Sequence, residues 1–267
     1  MRVSDTLRSE TACGLYPGLS REEYDSLCAM NCSSLKPGID TNDQSFTANA
    51  RTIRHHFEAN HAPRTVDTKK KDRWDFGIGV HMAVLERERF ETDVVHTDMV
   101  RNRKHEKYRE FCEQHEGKLI LKTSGEHGYD RIGRLLNAVI SLPSWGLVLP
   151  YLESCDRECT IVTNEGGMQK KGMFDILSKS KPAICDLKTT TVVGHDAYAA
   201  LSFRLGYWIS LGSYRAWHNQ ECPSTQIEEV VQFVLNVNPP YDLCVRPMDD
   251  QELALGHKVQ LNACGTL

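Results

Sequence analysis

Met173-Phe-Asp-Ile-Leu177 and Ala183-Ile-Cys-Asp-Leu-Lys-Thr-Thr190 are two short apolar runs, separated by the polar, proline-bearing residues 178–182. Runs of this length bounded by turn residues predict two strands joined as a hairpin. Each carries an aspartate in its apolar part, Asp175 in the first and Asp186 in the second. Buried strands rarely tolerate uncompensated carboxylates, so this placement asks for a cation or a partner. Lys188 follows Asp186 by two residues, and the period-2 alternation of a strand puts both side chains on one face.

Outward from the hairpin, Thr160-Ile-Val-Thr163 predicts a preceding strand, so that the three form a meander over 157–189. A helix is expected over 196–218, then a strand at Val230-Val-Gln-Phe-Val-Leu-Asn-Val237, a shorter one at Leu243-Cys-Val-Arg246, and a final helix over 249–261. On the N-terminal side, residues 124–142 have apolar positions at helical spacing, closed by Pro143, and Phe76-Gly-Ile-Gly-Val-His81-Met-Ala-Val-Leu-Glu86 looks like a buried helix. Helices, a meander, a helix and then one or two strands predict an α/β fold with a central mixed β-sheet flanked by helices. Residues 1–75 are turn-rich and polar, with a capping box at Ser20-Arg-Glu-Glu23, and are expected as a lead-in packed on a core domain of residues 76–267. No internal repeat is present.

The 267 residues are 40% hydrophobic, 8% aromatic and 25% charged, an ordinary globular composition. The formal net charge of −4 argues against a protein that coats nucleic acid through a broad basic surface. The basic run Lys69-Lys70-Lys71-Asp72-Arg73 reads as a solvated loop or a phosphate contact, and the charged residues 101–116, with Arg101, Arg103, Lys104, Lys107 and Arg109, as a solvated or DNA-facing helix. The chain does not open on a basic segment followed by an apolar run, and no window approaches a membrane-spanning length. The expectation is a cytoplasmic protein with no membrane association, its ten cysteines as free thiols. The C-x₃-C pairs Cys28/Cys32 and Cys155/Cys159 do not make the spacing of a metal cluster.

Two carboxylates on adjacent strands supply the hard oxygen ligands that Mg²⁺ or Mn²⁺ takes, and such an ion suits phosphodiester hydrolysis. Asp175 and Asp186 are the expected metal ligands, with the Leu187 carbonyl as a further one. Glu158, on the preceding strand, would complete the acidic cluster, and Lys188 would orient water or stabilise negative charge. The bare D-x-K pattern is unspecific, since Asp67-Thr-Lys69 and Glu116-Gly-Lys118 share it. Taken alone, these residues fit either a nuclease centre or a structural Asp–Lys pair near a sheet edge.

Along most of its length the chain resembles the RecE-type exonucleases (exonuclease VIII) of the PD-(D/E)xK nuclease superfamily. The resemblance is carried in order by Gly14-Leu-Tyr-Pro-Gly-Leu-Ser-Arg-Glu-Glu-Tyr24, Asn31-Cys-Ser-Ser-Leu35, the Phe76–Glu86 segment, Phe174-Asp-Ile-Leu177 and Cys185-Asp-Leu-Lys-Thr-Thr190. It implies a restriction-endonuclease-like core, with Asp175 and Asp186 binding Mg²⁺ (Mn²⁺ as a substitute), Lys188 acting on water or phosphate, Glu158 at the acidic position of the preceding strand, and His81 facing the centre as a metal ligand or behind one. It also implies 5′ to 3′ resection of double-stranded DNA ends for recombination, a single-strand annealing protein as partner, a ring-shaped homo-oligomer, and a bacterial or phage setting. Two departures stand out. Phe174 replaces the usual proline, and Ser202-Phe-Arg-Leu-Gly-Tyr-Trp-Ile-Ser210 lacks the glutamine of a Gln-x-x-x-Tyr element, leaving Arg204 or Tyr207 as replacements. The alternative from another class is a catalytically silent DNA-binding or recombination scaffold that retains the fold; a third is an interaction protein in which the Asp–Lys pair is incidental.

Overall fold

The computed structural model describes residues 11–27, 29–31, 68–100 and 104–265. The expected elements Asn31-Cys-Ser-Ser-Leu35 (beyond its first residue), Cys28/Cys32, Arg101 and Arg103 lie outside them. Three N-terminal elements come first: β1 (Gly14–Tyr16), α1 (Arg21–Ser26) and β2 (Met30–Asn31). The Ser20 capping box forms as expected, with Glu23 N–H on the Ser20 hydroxyl and the Glu23 carboxylate on the Ser20 N–H. Next are α2 (Thr68–Leu85), α3 (Arg87–Asp93), β3 (Val94–Thr97), α4 (Glu106–Gln114), β4 (Leu119–Lys122), α5 (Tyr129–Val139) and α6 (Trp145–Leu152). The C-terminal half holds the meander β5 (Cys155–Glu165), β6 (Met168–Ser178) and β7 (Ala183–Thr190), then α7 (His195–Arg204), α8 (Tyr207–Glu221), β8 (Glu229–Asn236), β9 (Asp242–Pro247) and α9 (Asp250–Gly265).

The main sheet has the order β1-β5-β6-β7-β8-β9, with β2 pairing β6. It is mixed. β5, β6 and β7 are antiparallel neighbours, β7 and β8 run parallel along all of β7, and β9 returns antiparallel to β8. A parallel pair needs a crossover, here supplied by α7 and α8, and it sits inside the sheet, one strand in from the β9 edge, with helices covering both faces. One face packs Leu187, Val231 and Phe233 against Val80, Ile132, Leu135 and Val148 of α2, α5 and α6. The other packs Ile184 and Val230 against Trp208, Ile209, Leu253 and Val259 of α8 and α9. Glycine sets the fit of the last two helices: a Cβ on Gly212 would collide with the Leu253 carbonyl, and one on Gly256 with the Trp208 carbonyl. The backbones therefore touch directly.

Four local expectations change. The helix expected over 196–218 is two helices, because Gly206 takes a left-handed conformation (φ 65°) and its N–H caps the Phe203 carbonyl at 2.9 Å, ending α7. The helix over 124–142 is confined to Tyr129–Val139, preceded by a turn. The run at 69–73 is not a loop but the first turns of α2, which starts at Thr68 and passes through the position taken as the end of the lead-in. Within it, Lys71 pairs with Asp75 (3.1 Å) and Asp72 with Lys122 (2.8 Å). A two-stranded parallel sheet, β3 with β4, bridged by α4, was not expected. Its strands are four residues each and mix polar with apolar positions, leaving no period to read.

Candidate metal centre

The two aspartates sit where the sheet comes apart. β6 and β7 pair only at Ile176 with Cys185, Leu177 with Ile184 and Ser178 with Ala183. Continued by one step, that register would pair Asp175 with Asp186, and there the ladder stops. β7 remains fixed from the other side, since β8 pairs with it from Ala183 to Thr190. The Leu187 N–H freed by the split donates to Asp175 Oδ2 at 2.7 Å. In a strand a residue's N–H and C=O point to the same side, so the Leu187 carbonyl faces the same gap. β5 is also disturbed at this level. Arg157 pairs with Ile176 and Cys159 with Phe174, but the intervening Glu158 and Asp175 do not pair, and Glu158 has a positive φ of 49°. Such a backbone costs on the order of 1 kcal/mol or more in a residue other than glycine.

The geometry brings Asp175, Asp186, Lys188 and His81 together, with Glu158 on the strand next to Asp175. Lys188 Nζ lies 2.5 Å from Asp186 Oδ1 and 3.5 Å from the Leu187 oxygen. His81, from the middle of α2, places Nδ1 3.9 Å from Asp175 Oδ2. The side chains of Asp175, Asp186, Lys188 and His81 retain 18%, 14%, 21% and 29% of their surface, so the cluster is a recess reachable from outside, not a sealed core. Tyr207, at the start of α8, lies under the ammonium, with Nζ 5.0 Å from its ring centre. Arg204 is exposed on α7. Of the two other matches to the D-x-K pattern, Glu116-Gly-Lys118 is in the turn before β4, with Lys118 on the Thr92 carbonyl at 3.0 Å; Asp67-Thr-Lys69 lies outside the residues whose side chains are described.

Electrostatics point the same way. Burial, reinforced by Asp186, raises the Asp175 carboxyl above its ordinary range, in spite of Lys188, His81 and the Leu187 N–H. Desolvation pulls the Lys188 ammonium down, but Asp186 and Asp175 outweigh it and hold it above its usual value, so it stays charged. Burial, then Asp175 and Glu86, push Glu158 up to about 7, with Arg21 and Arg89 opposing. The acidic groups thus exceed the positive charge that faces them.

Sequence reading missed two neighbours. Gln232 on β8 is paired in register with Asp186 and donates its Nε2 to Asp186 Oδ2 at 3.3 Å. Tyr198 of α7 is buried with a hydroxyl that has no hydrogen-bond partner among the described residues; burial, then Asp186, raise its phenol above the ordinary range. Gln232 sits in a run of apolar β8 residues, and one polar residue in a strand buried on both faces was the available signal.

Among the described residues no three His, Cys, Asp or Glu side chains are already arranged as a metal cage. Lys188 and the Leu187 N–H donate instead to the aspartate oxygens. The donor set itself fits a hard divalent cation. It offers the carboxylates of Asp175 and Asp186 and the Leu187 carbonyl, with Glu158 alongside, in a recess where one ammonium balances two aspartates.

A meander with paired carboxylates at its split and a lysine two residues on, between helical layers, defines the PD-(D/E)xK class of α/β fold. The family comparison agrees: residues 47–242, which include Asp175, Asp186 and Lys188, match the PDDEXK-like domain of unknown function DUF3799, and the chain belongs to that family. Among solved structures, a candidate exonuclease from Eubacterium rectale superposes with a TM-score of 0.58 over 92% of this chain and 84% of its own, at 12% identity, a likeness of fold. No curated protein matches significantly. Among the described residues no helix is long and apolar enough to cross a membrane.

Proposed function

We propose that this chain is a divalent-metal-dependent DNA nuclease whose centre is built on Asp175, Asp186 and Lys188. The observation that carries the reading is the undercompensated pair of carboxylates at the break in the β6–β7 ladder, beside a lysine held in its charged form. The family membership and the fold shared with a candidate exonuclease support it.

Asp175, Asp186 and the Leu187 carbonyl would hold the ion, with Glu158 and His81 at its flanks. Mg²⁺ is the natural occupant of an all-oxygen set, with Mn²⁺ as a substitute. When bound, the ion polarises the phosphoryl oxygen and lowers the pKa of water. Lys188, beside Asp186 and held in its charged form, would face the phosphate and offset the negative charge that grows there. Glu158, on the strand beside Asp175, would add a further carboxylate at the edge of the site.

The resemblance to RecE-type exonucleases supports the finer reading: 5′ to 3′ resection of double-stranded ends for recombination, working as an oligomer with a strand-annealing partner. Digestion of linear, circular and end-labelled duplexes with Mg²⁺, Mn²⁺ or EDTA tests it. The expected outcome is metal-dependent loss of linear duplex, circular DNA intact, and the 5′ label released first. Release of the 3′ label first overturns the polarity, and cutting of circles overturns the need for an end. No cleavage with either metal leaves a silent scaffold of the same fold.

A further inference from the structure

Asp186 is held from behind by a chain of contacts that begins far from the recess. Gln232 is fully buried and its Nε2 donates to Asp186 Oδ2 at 3.3 Å. Its Oε1 accepts from the Ser202 hydroxyl of α7 and from Arg246 Nη1 of β9, each at 3.2 Å. Arg246 Nη2 in turn grips both carboxylate oxygens of Glu252 on α9, at 2.9 and 3.2 Å. The chemistry fixes which way the amide points. Turned over, it would set NH₂ against a guanidinium and a hydroxyl donor, and its carbonyl against a carboxylate.

We propose that Gln232 is a positioning residue for the metal centre, holding Asp186 through an amide whose orientation is dictated by Ser202, Arg246 and Glu252; the inference rests on the nuclease reading above. A neutral donor is what the site needs. An arginine touching Asp186 would neutralise the carboxylate that must attract a cation, whereas here the Arg246 charge is absorbed by Glu252 and only a hydrogen bond is passed on. Among the described residues each Asp186 oxygen takes one donor, Lys188 on Oδ1 and Gln232 on Oδ2, and each keeps lone-pair capacity for an ion. Gln232 carries no charge, so its hydrogen bond can persist when an ion takes the free lone pairs. It therefore sets the carboxylate's direction in both states. The amide arrives from β8, not from the helix after the D-x-K strand.

The test uses the full chain with Gln232→Met, which keeps length and bulk, and Gln232→Asn, which keeps an amide that no longer reaches. Mn²⁺ binding is followed by electron paramagnetic resonance of the free ion, alongside thermal melting in EDTA and the kcat and KM for linear duplex. Loss of such an outer-shell partner is expected to weaken Mn²⁺ binding on the order of 10-fold or more and to lower kcat, with KM for DNA and melting in EDTA close to wild type. Wild-type Mn²⁺ affinity in either folded variant overturns the proposal. So does failure of both variants to fold, or an affinity loss that only follows a lower melting temperature, because Gln232 is then a packing residue. Wild-type protein that binds no Mn²⁺ and cuts nothing refutes the nuclease reading itself, a result different from a binding wild type with indifferent variants.

Discussion

Replacing Lys188 by methionine separates the electrostatic role of the lysine from its chemical one. The change keeps the aliphatic stem and removes the ammonium that touches Asp186, at 2.5 Å, leaving two aspartates in a recess where their side chains are 18% and 14% exposed. Stripping one partner from a buried ion pair costs about 3–5 kcal/mol, and the partial opening of this recess puts the loss near the lower figure, about 3 kcal/mol. At roughly 2–4 °C per kcal/mol for a domain of this size, the variant melts about 6–12 °C below wild type in EDTA. A divalent cation then supplies the missing charge. At about 100 times its dissociation constant a ligand stabilises by about 2.7 kcal/mol, so saturating Mg²⁺ raises the melting temperature of Lys188→Met more than that of wild type and closes most of the gap. Cleavage does not return, because no ammonium faces the phosphate. Differential scanning fluorimetry in EDTA and across a Mg²⁺ series measures both arms. Unchanged melting in EDTA, or equal Mg²⁺ responses in the two proteins, would refute the argument that Lys188 stands in for the metal.

Three further outcomes are expected, the last comparing a carboxylate of the centre with Glu165, which is held outside it by Lys170, His257 and Trp217. Asp186→Ala abolishes cleavage of labelled linear duplex while the protein still melts cooperatively; retained turnover would remove Asp186 from the centre. His81→Ala moves the metal dependence of cleavage to higher Mn²⁺ with little change in melting, whereas a large stability loss with an unchanged Mn²⁺ titration would make His81 a packing residue. Glu165 and Glu158 give opposite pH dependences in metal-free protein: burial raises the Glu165 carboxyl but His257, Lys170 and Trp217 outweigh it and lower it to about 2, while Glu158 is raised to about 7. Glu165 therefore contributes stability above the ordinary carboxylate range that is lost as pH falls from about 4.5 to about 2, so Glu165→Gln costs about 3 kcal/mol at neutral pH and little near pH 2. Glu158 favours folding most below about 4.5 and loses that contribution as pH rises through about 7, so urea titrations of Glu158→Gln should lack the decline that wild type shows across this window.

Much of the site was legible because its residues obey strand periodicity. Asp186 and Lys188 share a face by the rule of two, and the apolar residues around Asp175 marked its strand as buried. The same reasoning explains the omissions. Gln232 comes to Asp186 across a parallel pairing with β8, and parallel register between segments separated by two helices leaves no local trace. The split of the β6–β7 ladder is likewise a property of two strands together. Gly206 did leave a trace, a glycine inside an apolar helical pattern, but the pattern on either side of it was read as continuous. β3 and β4 are too short for any period to show. The mixed sheet between helical layers was readable from the order of elements, while the start of α2 was obscured by the lysines of its first turns, which resemble a solvated loop.

The hydrogen bond from Leu187 N–H to Asp175 gives one carboxylate two employments. Its oxygen stands where a neighbouring strand's carbonyl would, so the sheet continues across its own gap through a side chain. Selection for folding alone is then enough to retain an aspartate at this position, even in a descendant that has stopped cutting DNA. In comparing members of the family, persistence of Asp175 is weak testimony to activity.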